Sequence, residues 1–282
     1  ANTGVGFEAA KVFAGKGARV LLGCRNPDKG NDAVARIIAA HPEADVEVVE
    51  LDLADLASVR RAAEVVGQEP RLDVLENNAG VMYVPKSVTA DGFELQFGVN
   101  HLGHFALTGL LLSTLEATPN SRIVTTSSSG HRFGNGDLFW DDINADDSYH
   151  TRKRYYASKL ANLLFTHELD RRLRAKGSST IAVAVHPGGS NTELTRHMGG
   201  LMGVMWRLSQ PLMNSAEEGA WSTELAATAQ GVEGGQYFGP SRFGELSGPA
   251  KQVDSSKASK DPDKAKRLWD LSIQMTGVDP GI

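Results

Sequence analysis

The amino-acid sequence predicts a single α/β domain: a doubly wound parallel sheet with helices on both faces, three layers in all. Three observations carry this. Short apolar runs recur along the chain, helical stretches fall between them, and a glycine turn, Gly4-Val5-Gly6, opens straight into the first helix. Strands alternating with helices of this length imply βαβ units, whose crossovers are right-handed and put helices on both sides of the sheet.

Strands are expected at 19–23, 46–51, 72–75, 122–126 and 181–185, with a last short one at 235–240. Each is an apolar run of the length and composition of a buried strand. Helices are expected at 6–16, 27–40, 55–66, 93–116, 154–176 and 263–276, with Asp55 as a start residue for the third, and 255–264 is expected to be a polar surface loop. No strand stands before the glycine turn, although in a dinucleotide-binding fold such a turn follows one. The sequence is therefore expected to lack the first, central strand; the alternative is an ordinary surface helix start.

The bulk properties narrow the function classes. The 282 residues are 41% hydrophobic and 22% charged, a globular composition that fits one large domain spanning 1–282. The net charge of −5 offers no basic field for nucleic acid. A single cysteine, Cys24, excludes an internal disulfide and suits a reducing compartment, so a cytoplasmic location is expected. No apolar run reaches the roughly 18–20 residues that span a bilayer, and the one around 105–112 is too short.

The motifs sit at the ends of the expected strands. In Ala1-Asn2-Thr3-Gly4-Val5-Gly6, glycine lets backbone approach a pyrophosphate and the helix start supplies free N–H groups. After the next strand comes Arg25, with Lys29 four residues on, where an acidic residue would hold the ribose hydroxyls of NAD(H). A guanidinium there can pair with a 2′-phosphate, which favours NADP(H); a solvated surface arginine is the bland alternative. Asp52, followed by Leu53, can accept from an adenine amino group, or it can serve the helix start. Asn77-Asn78-Ala79-Gly80 closes the strand expected at 72–75, at the edge where such sheets bind ligands, and its asparagines can tie neighbouring strands.

Tyr155 and Lys159 stand four apart on an expected helix, so they share a face. A phenol with a pKa of about 10 is a poor base at neutral pH, and a nearby ammonium stabilises the phenolate. The pair alone arises by chance in many helices. Here it follows Ser127-Ser128-Ser129-Gly130 at the end of the strand expected at 122–126 and Asn100 in Val99-Asn100-His101-Leu102-Gly103, and it precedes Pro187-Gly188-Gly189-Ser190-Asn191-Thr192.

Taken together, these motifs resemble the short-chain dehydrogenase/reductase family, in order from Ala1 to Thr192. The stretches Cys24-Arg25-Asn26-Pro27, Asn100-His101-Leu102-Gly103-His104-Phe105 and Ser158-Lys159-Leu160-Ala161-Asn162 look most like its retinol-dehydrogenase-like and protochlorophyllide-reductase-like members. The resemblance implies a Rossmann-type fold, an NADP(H)-dependent interconversion of a hydrophobic alcohol and its aldehyde or ketone, and possible assembly as a homodimer or homotetramer. It implies a tetrad of Asn100, Ser128, Tyr155 and Lys159, with Ser127 as the alternative serine. In that tetrad the tyrosine exchanges the proton and the serine bonds the substrate oxygen. The lysine lowers the tyrosine pKa and holds the nicotinamide ribose, and the asparagine steadies a water. Asn2, Gly4, Val5, Gly6, Arg25, Lys29, Asp52, Leu53, Asn77, Asn78, Ala79 and Gly80 would hold the cofactor, with Pro187, Gly188 and Thr192 at its nicotinamide half.

Two positions depart from the family pattern. Glu76 falls where a strand residue is usually apolar, so it is expected to find a partner, to sit at the strand's exposed end or to be neutral. Ser190 replaces a branched apolar residue. The segment 191–215, rich in methionine, is expected to cover the substrate, with Phe133 and His131 nearby. Three other readings compete. A serine hydrolase is disfavoured because no Gly-x-Ser-x-Gly elbow surrounds any serine. Reduction of a tetrapyrrole C=C bond is disfavoured because the only cysteine lies at the adenosine end. A non-catalytic relative is disfavoured by the intact tetrad.

Overall fold

The computed structural model describes residues 1–189 and 213–282. Its elements run α1 (Gly4–Gly15), β1 (Val20–Cys24), α2 (Pro27–Ala40), β2 (Val46–Glu50), α3 (Leu56–Val66), β3 (Val74–Asn77), α4 (Gly103–Ala117), β4 (Arg122–Thr126), α5 (Thr151–Lys176), β5 (Ile181–Val185), α6 (Ala216–Thr228), β6 (Tyr237–Arg242), β7 (Ser247–Val253) and α7 (Pro262–Thr276). β3, β4, β5, β6 and β7 lie side by side in that order, parallel except for β7, which runs antiparallel to β6. β1 and β2 form a separate parallel pair, and among the described residues no ladder joins β1 to β3. The Ala1 ammonium donates to the Gly23 carbonyl at 2.6 Å beside β1.

Both faces are covered. On one, Phe7, Leu22, Ala33 and Ile37 pack α1 and α2 over β1, and Val124, Val183 and Phe238 pack β4, β5 and β6 against Ala226 of α6. On the other, Phe105, Phe165 and Trp269 bring α4, α5 and α7 together, with Phe105 edge-on to Trp269 at 5.2 Å and Phe165 stacked on it at 6.1 Å. Burial of each large side chain contributes about 1.5–3 kcal/mol, so this aromatic wedge fixes where α5 lies across the sheet.

The structure corrects several expectations. The single helix expected over 93–116 is broken. A short turn at Leu95–Phe97 leads into one π-type turn at Gly98–Leu102, and only then does α4 begin. Such turns often mark functional sites, and this one carries Asn100. The stretch expected as a polar loop at 255–264 contains a short 3₁₀ turn, Lys257–Lys260, with Ser259 fully buried, and α7 begins within it. α6 and β7 fall where no element is expected. Glu76 is half-buried in β3, with Oε1 buried and without a hydrogen-bond partner. Burial pushes its carboxyl up to about 7, against the Ala1 ammonium and a hydrogen bond with Thr223. Near neutral pH this carboxyl is therefore close to half protonated, which lowers the penalty of burying it. Ser190, Thr192 and most of 191–215 lie outside the described residues. Among the described residues no helix is long and apolar enough to cross a membrane.

Candidate active site

The carboxyl ends of β3, β4 and β5 converge with the first half of α5, and this meeting place holds the tetrad. Ser128 follows β4 directly and begins a 3₁₀ turn, Ser129–Arg132, in which its hydroxyl accepts from Gly130 N–H at 3.1 Å. The Tyr155 hydroxyl faces Ser128, whose hydroxyl favours the phenolate. Ser127 is committed elsewhere: its hydroxyl, 2% exposed, donates to the Lys159 carbonyl at 2.8 Å. The geometry therefore sets Ser128, not Ser127, beside the tyrosine.

Lys159 lies one helical turn beyond Tyr155. Its ammonium donates to the Thr126 carbonyl at 3.0 Å, and Asn162 Nδ2 donates to the same oxygen at 2.9 Å. At Gly80 a Cβ would lie 3.0 Å from Asn100 Oδ1 and 3.5 Å from Lys159 Nζ, so the bare backbone there is what admits the lysine head. Burial pulls the Lys159 ammonium down to about 8. Burial also pushes Tyr155 up to about 12, with the Ser128 hydroxyl pulling the other way. The expected lowering of the tyrosine by the lysine is absent here: desolvation of the phenol is the largest cause of its shift, and Lys159 is not among the causes.

Asn100 is fully buried and fully employed. Oδ1 accepts from Val81 N–H at 2.7 Å, and Nδ2 donates to the Val81 carbonyl at 2.9 Å and to Ser158 Oγ at 2.9 Å. It ties the loop after Gly80 to α5. Asn77 ties strands in the same way, donating from Nδ2 to Thr108 Oγ1 at 2.9 Å and more weakly to Thr125 Oγ1 at 3.4 Å. Ala79, by contrast, is exposed.

The residues expected at a cofactor fit a dinucleotide. Gly4 adopts φ +64°, and Gly6 can only be glycine because a Cβ would run into the Asn78 amide, so α1 approaches the Asn77–Gly80 turn closely. Thr3 makes no side-chain cap and the first turn of α1 holds no acid, leaving its N–H groups and positive end to an anion. Arg25 and Lys29 are exposed just past β1, and neither side chain makes an ion pair among the described residues. Asp52 accepts from Ala54 N–H at 2.9 Å while Asp55 caps α3 through Ala57 N–H, so the helix start is served by Asp55. Leu53 packs in the core against α3 and α4. Gly188, at φ +75°, follows Pro187 past the end of β5, and His186 Nδ1 accepts from Gly188 N–H at 3.3 Å.

Sequence reasoning missed a set of bracing residues. Arg132 grips Glu245 through both guanidinium nitrogens, at 2.9 and 3.1 Å, and His186 Nε2 lies 3.0 Å from the same carboxylate. His131 accepts from Ser256 N–H at 3.0 Å on Nε2, so its Nδ1 carries the proton and donates to the Ser128 carbonyl at 2.6 Å. The expected pocket residue is thus a buried brace of the serine turn, whereas Phe133 next to it is 68% exposed. None of these contacts joins residues at a spacing that sequence alone could reveal.

A parallel sheet with a serine and a tyrosine facing each other at its carboxyl edge, a lysine one turn on and an asparagine in a π-turn matches one fold family, and the comparisons agree. The profile described as short chain dehydrogenase matches residues 1–139. The chain belongs to the short-chain dehydrogenase/reductase family of oxidoreductases. Within the family it stands with the retinol-dehydrogenase-like members. It is 41% identical over 281 residues to retinol dehydrogenase 12 of Homo sapiens, covering 99% of this chain and 84% of that one. It is 40% identical to human retinol dehydrogenase 13 with nearly the same coverage, 99% and 83%. A crystal structure of a Mycobacterium paratuberculosis protein superposes with a TM-score of 0.82 at 40% identity, covering 100% of this chain and 92% of that one. Salutaridine reductase from Papaver somniferum shares the fold, with a TM-score of 0.64 at 22% identity over 84% of this chain and 96% of its own.

Proposed function

We propose that this chain is an NADP(H)-dependent oxidoreductase that interconverts a hydrophobic alcohol and its aldehyde or ketone. The observation that carries the reading is the juxtaposition of two hydroxyls, Ser128 and Tyr155, with the Lys159 ammonium one turn away beside Gly80 and Asn100. The relatives named retinol dehydrogenase support a CH–OH substrate.

The bound nicotinamide supplies or accepts the hydride. The rest belongs to the chain. Ser128 hydrogen-bonds the substrate oxygen and polarises the carbonyl. In reduction the Tyr155 hydroxyl gives its proton to the developing alkoxide, and in oxidation it takes the proton back. Lys159, still cationic at neutral pH, stabilises the phenolate left behind. The exposed Arg25 guanidinium, with Lys29 beside it, is placed to pair with a 2′-phosphate, which favours NADP(H) over NAD(H).

The test is NADPH oxidation by the full chain with a panel of aldehydes and ketones. Turnover is expected with apolar aldehydes, and Tyr155→Phe is expected to lose about 10²- to 10⁴-fold in kcat while still binding NADPH. No turnover with any carbonyl, or an active Tyr155→Phe enzyme, would overturn the reading.

A further inference from the structure

A second tyrosine stands against Tyr155 in a conformation that bulky residues rarely adopt. Tyr83, three residues past Gly80, has φ +55°. A non-glycine residue in this left-handed region is strained, and the strain is held only where its surroundings over-determine it. Gln96 supplies the clamp. Its Oε1 accepts from Tyr83 N–H at 2.9 Å, while its Nε2 donates to Tyr149 Oη at 3.1 Å and to the Thr151 carbonyl at 2.9 Å. Tyr149 in turn donates to the Val84 carbonyl at 2.7 Å, and the Gln96 side chain is fully buried. The backbone at Tyr83 is thus fixed from two sides at the start of α5.

The clamp aims the ring. The Tyr83 ring stands edge-on to Tyr155 with centroids 5.2 Å apart, and it meets Tyr156 edge-on at 6.3 Å, with the two hydroxyls 3.4 Å apart. Tyr156 continues to Phe133 at 5.7 Å, which is 68% exposed. Four rings therefore run in sequence from the proton-exchanging phenol to the surface, and two of them, Tyr83 and Tyr156, are half-buried. Burial pushes the Tyr83 phenol far above its ordinary value, so it stays neutral. This side of the site offers neutral ring surface, and the charge felt by Tyr83 is that of the exposed Arg152 guanidinium.

We infer that Tyr83 is a specificity-determining residue: with Tyr156 and Phe133 it forms an aromatic track that seats the tail of a long apolar aldehyde or alcohol while the reacting carbon lies at Tyr155. This rests on the oxidoreductase reading above and adds the shape of the substrate. A short aldehyde reaches Tyr155 without touching the outer rings. A long one gains contact with each ring it passes, and such contacts favour flat or extended apolar chains.

The experiment compares kcat/KM for decanal and for propanal, with NADPH, in the full chain and in Tyr83→Gly, Tyr83→Phe and Phe133→Ala. Tyr83→Gly suits the left-handed backbone and is expected to melt no lower than the parent. Its selectivity for decanal over propanal is expected to fall about tenfold, mostly through KM for decanal. Tyr83→Phe keeps the ring and is expected to keep the selectivity within about twofold. Phe133→Ala, at an exposed position that cannot unsettle the core, is expected to lose about threefold in the same ratio. Equal losses for both aldehydes in Tyr83→Gly, or an unchanged ratio in both Tyr83→Gly and Phe133→Ala, would overturn the inference while leaving the oxidoreductase reading intact. Absence of turnover in the parent protein would instead sink that reading first.

Discussion

The His186 imidazole lies 3.0 Å from the Glu245 carboxylate, and this contact joins the end of β5 to the tip of the β6–β7 hairpin. His186 Nδ1 accepts from Gly188 N–H, so the proton on the ring sits at Nε2, facing Glu245. Arg132, four residues past Ser128, grips the same carboxylate. The turn that carries the serine and the residue that leads into the Pro187-Gly188 loop are therefore tied to one half-buried carboxylate. Glu245 itself sits at φ +68°, so the hairpin tip is bent to deliver it.

Replacing Glu245 with glutamine tests the anchor. Burial alone would raise its carboxyl, but hydrogen bonds from His186 and Arg132 overcome that and hold it at about 2. A carboxyl depressed in the folded state contributes stability above its ordinary value of 4.5 and loses that contribution as pH falls toward 2. Glu245→Gln is expected to be less stable than the parent by about 1 kcal/mol at neutral pH, a figure already discounted because Arg132 and Glu245 both touch solvent. Thermal melts across pH check it: the gap between the two proteins should close between pH 4.5 and 2. A gap that stays constant in acid would show that the charge is not its cause.

Asn100 offers a sharper structural test. Its amide satisfies both backbone groups of Val81 as well as Ser158, and no water-facing route replaces those bonds at a fully buried position. Asn100→Ala leaves the Val81 groups without a partner, leaves Ser158 with only its bond to the Tyr155 carbonyl, and is expected to cost about 2–3 kcal/mol. It should also release the loop that shapes the space around Lys159 Nζ. Denaturant unfolding and NADPH titration are expected to move together. A variant as stable as the parent would mean that the amide has no bracing role.

The chemistry was more legible in the sequence than the frame that holds it. β4 and β5 are readable because Ile123-Val124 and Ile181–Val185 are unbroken apolar runs, the mark of strands buried on both faces. Tyr155 and Lys159 are readable because one helical turn separates them. β7 is not readable: as an edge strand it alternates buried with exposed positions and carries Pro249 and Lys251, residues that a central strand would not tolerate. The π-turn at Asn100 sits inside a continuous helical pattern, and nothing in its residue types announces the extra residue per turn. Tyr83 is the extreme case. Its left-handed backbone is imposed by Gln96 and Tyr149 from distant segments, and local propensity argues against it. Glu76 was legible as an anomaly but not in its outcome, since the shift of its carboxyl depends on how far β3 is desolvated.

Arg25 carries the cofactor preference in the proposed function, and it is well suited to a clean test. It is exposed and makes no ion pair among the described residues, so changing it should leave stability nearly untouched. Arg25→Asp removes the partner of a 2′-phosphate and places a carboxylate where it can accept from a free 2′-hydroxyl. The ratio of kcat/KM for NADPH over NADH is expected to fall by about 100-fold, with both terms contributing. Steady-state kinetics with the two cofactors read this directly. An unchanged ratio would remove the argument for NADP(H).

The ionisation of Tyr155 gives the last prediction, and its sign follows from burial. In the cofactor-free protein the phenol is pushed up to about 12 and the Lys159 ammonium is pulled down to about 8. At neutral pH the tyrosine is therefore protonated and the lysine still largely charged, the state that suits proton donation in carbonyl reduction. As pH rises through 8, Lys159 loses its charge while Tyr155 remains a phenol, so the cation is withdrawn before the phenolate forms. The reductive kcat/KM for NADPH is expected to fall above about pH 8, and the fall should track Lys159 and not Tyr155. Lys159→Arg keeps a cation that does not titrate and should flatten that limb, whatever it costs in absolute rate. The phenolate absorbance of the cofactor-free protein at about pH 9 should be the same in the parent and in Tyr155→Phe. A phenolate signal at that pH that disappears in Tyr155→Phe would mean that the lysine already lowers the tyrosine before any cofactor binds, and that burial is the weaker of the two effects.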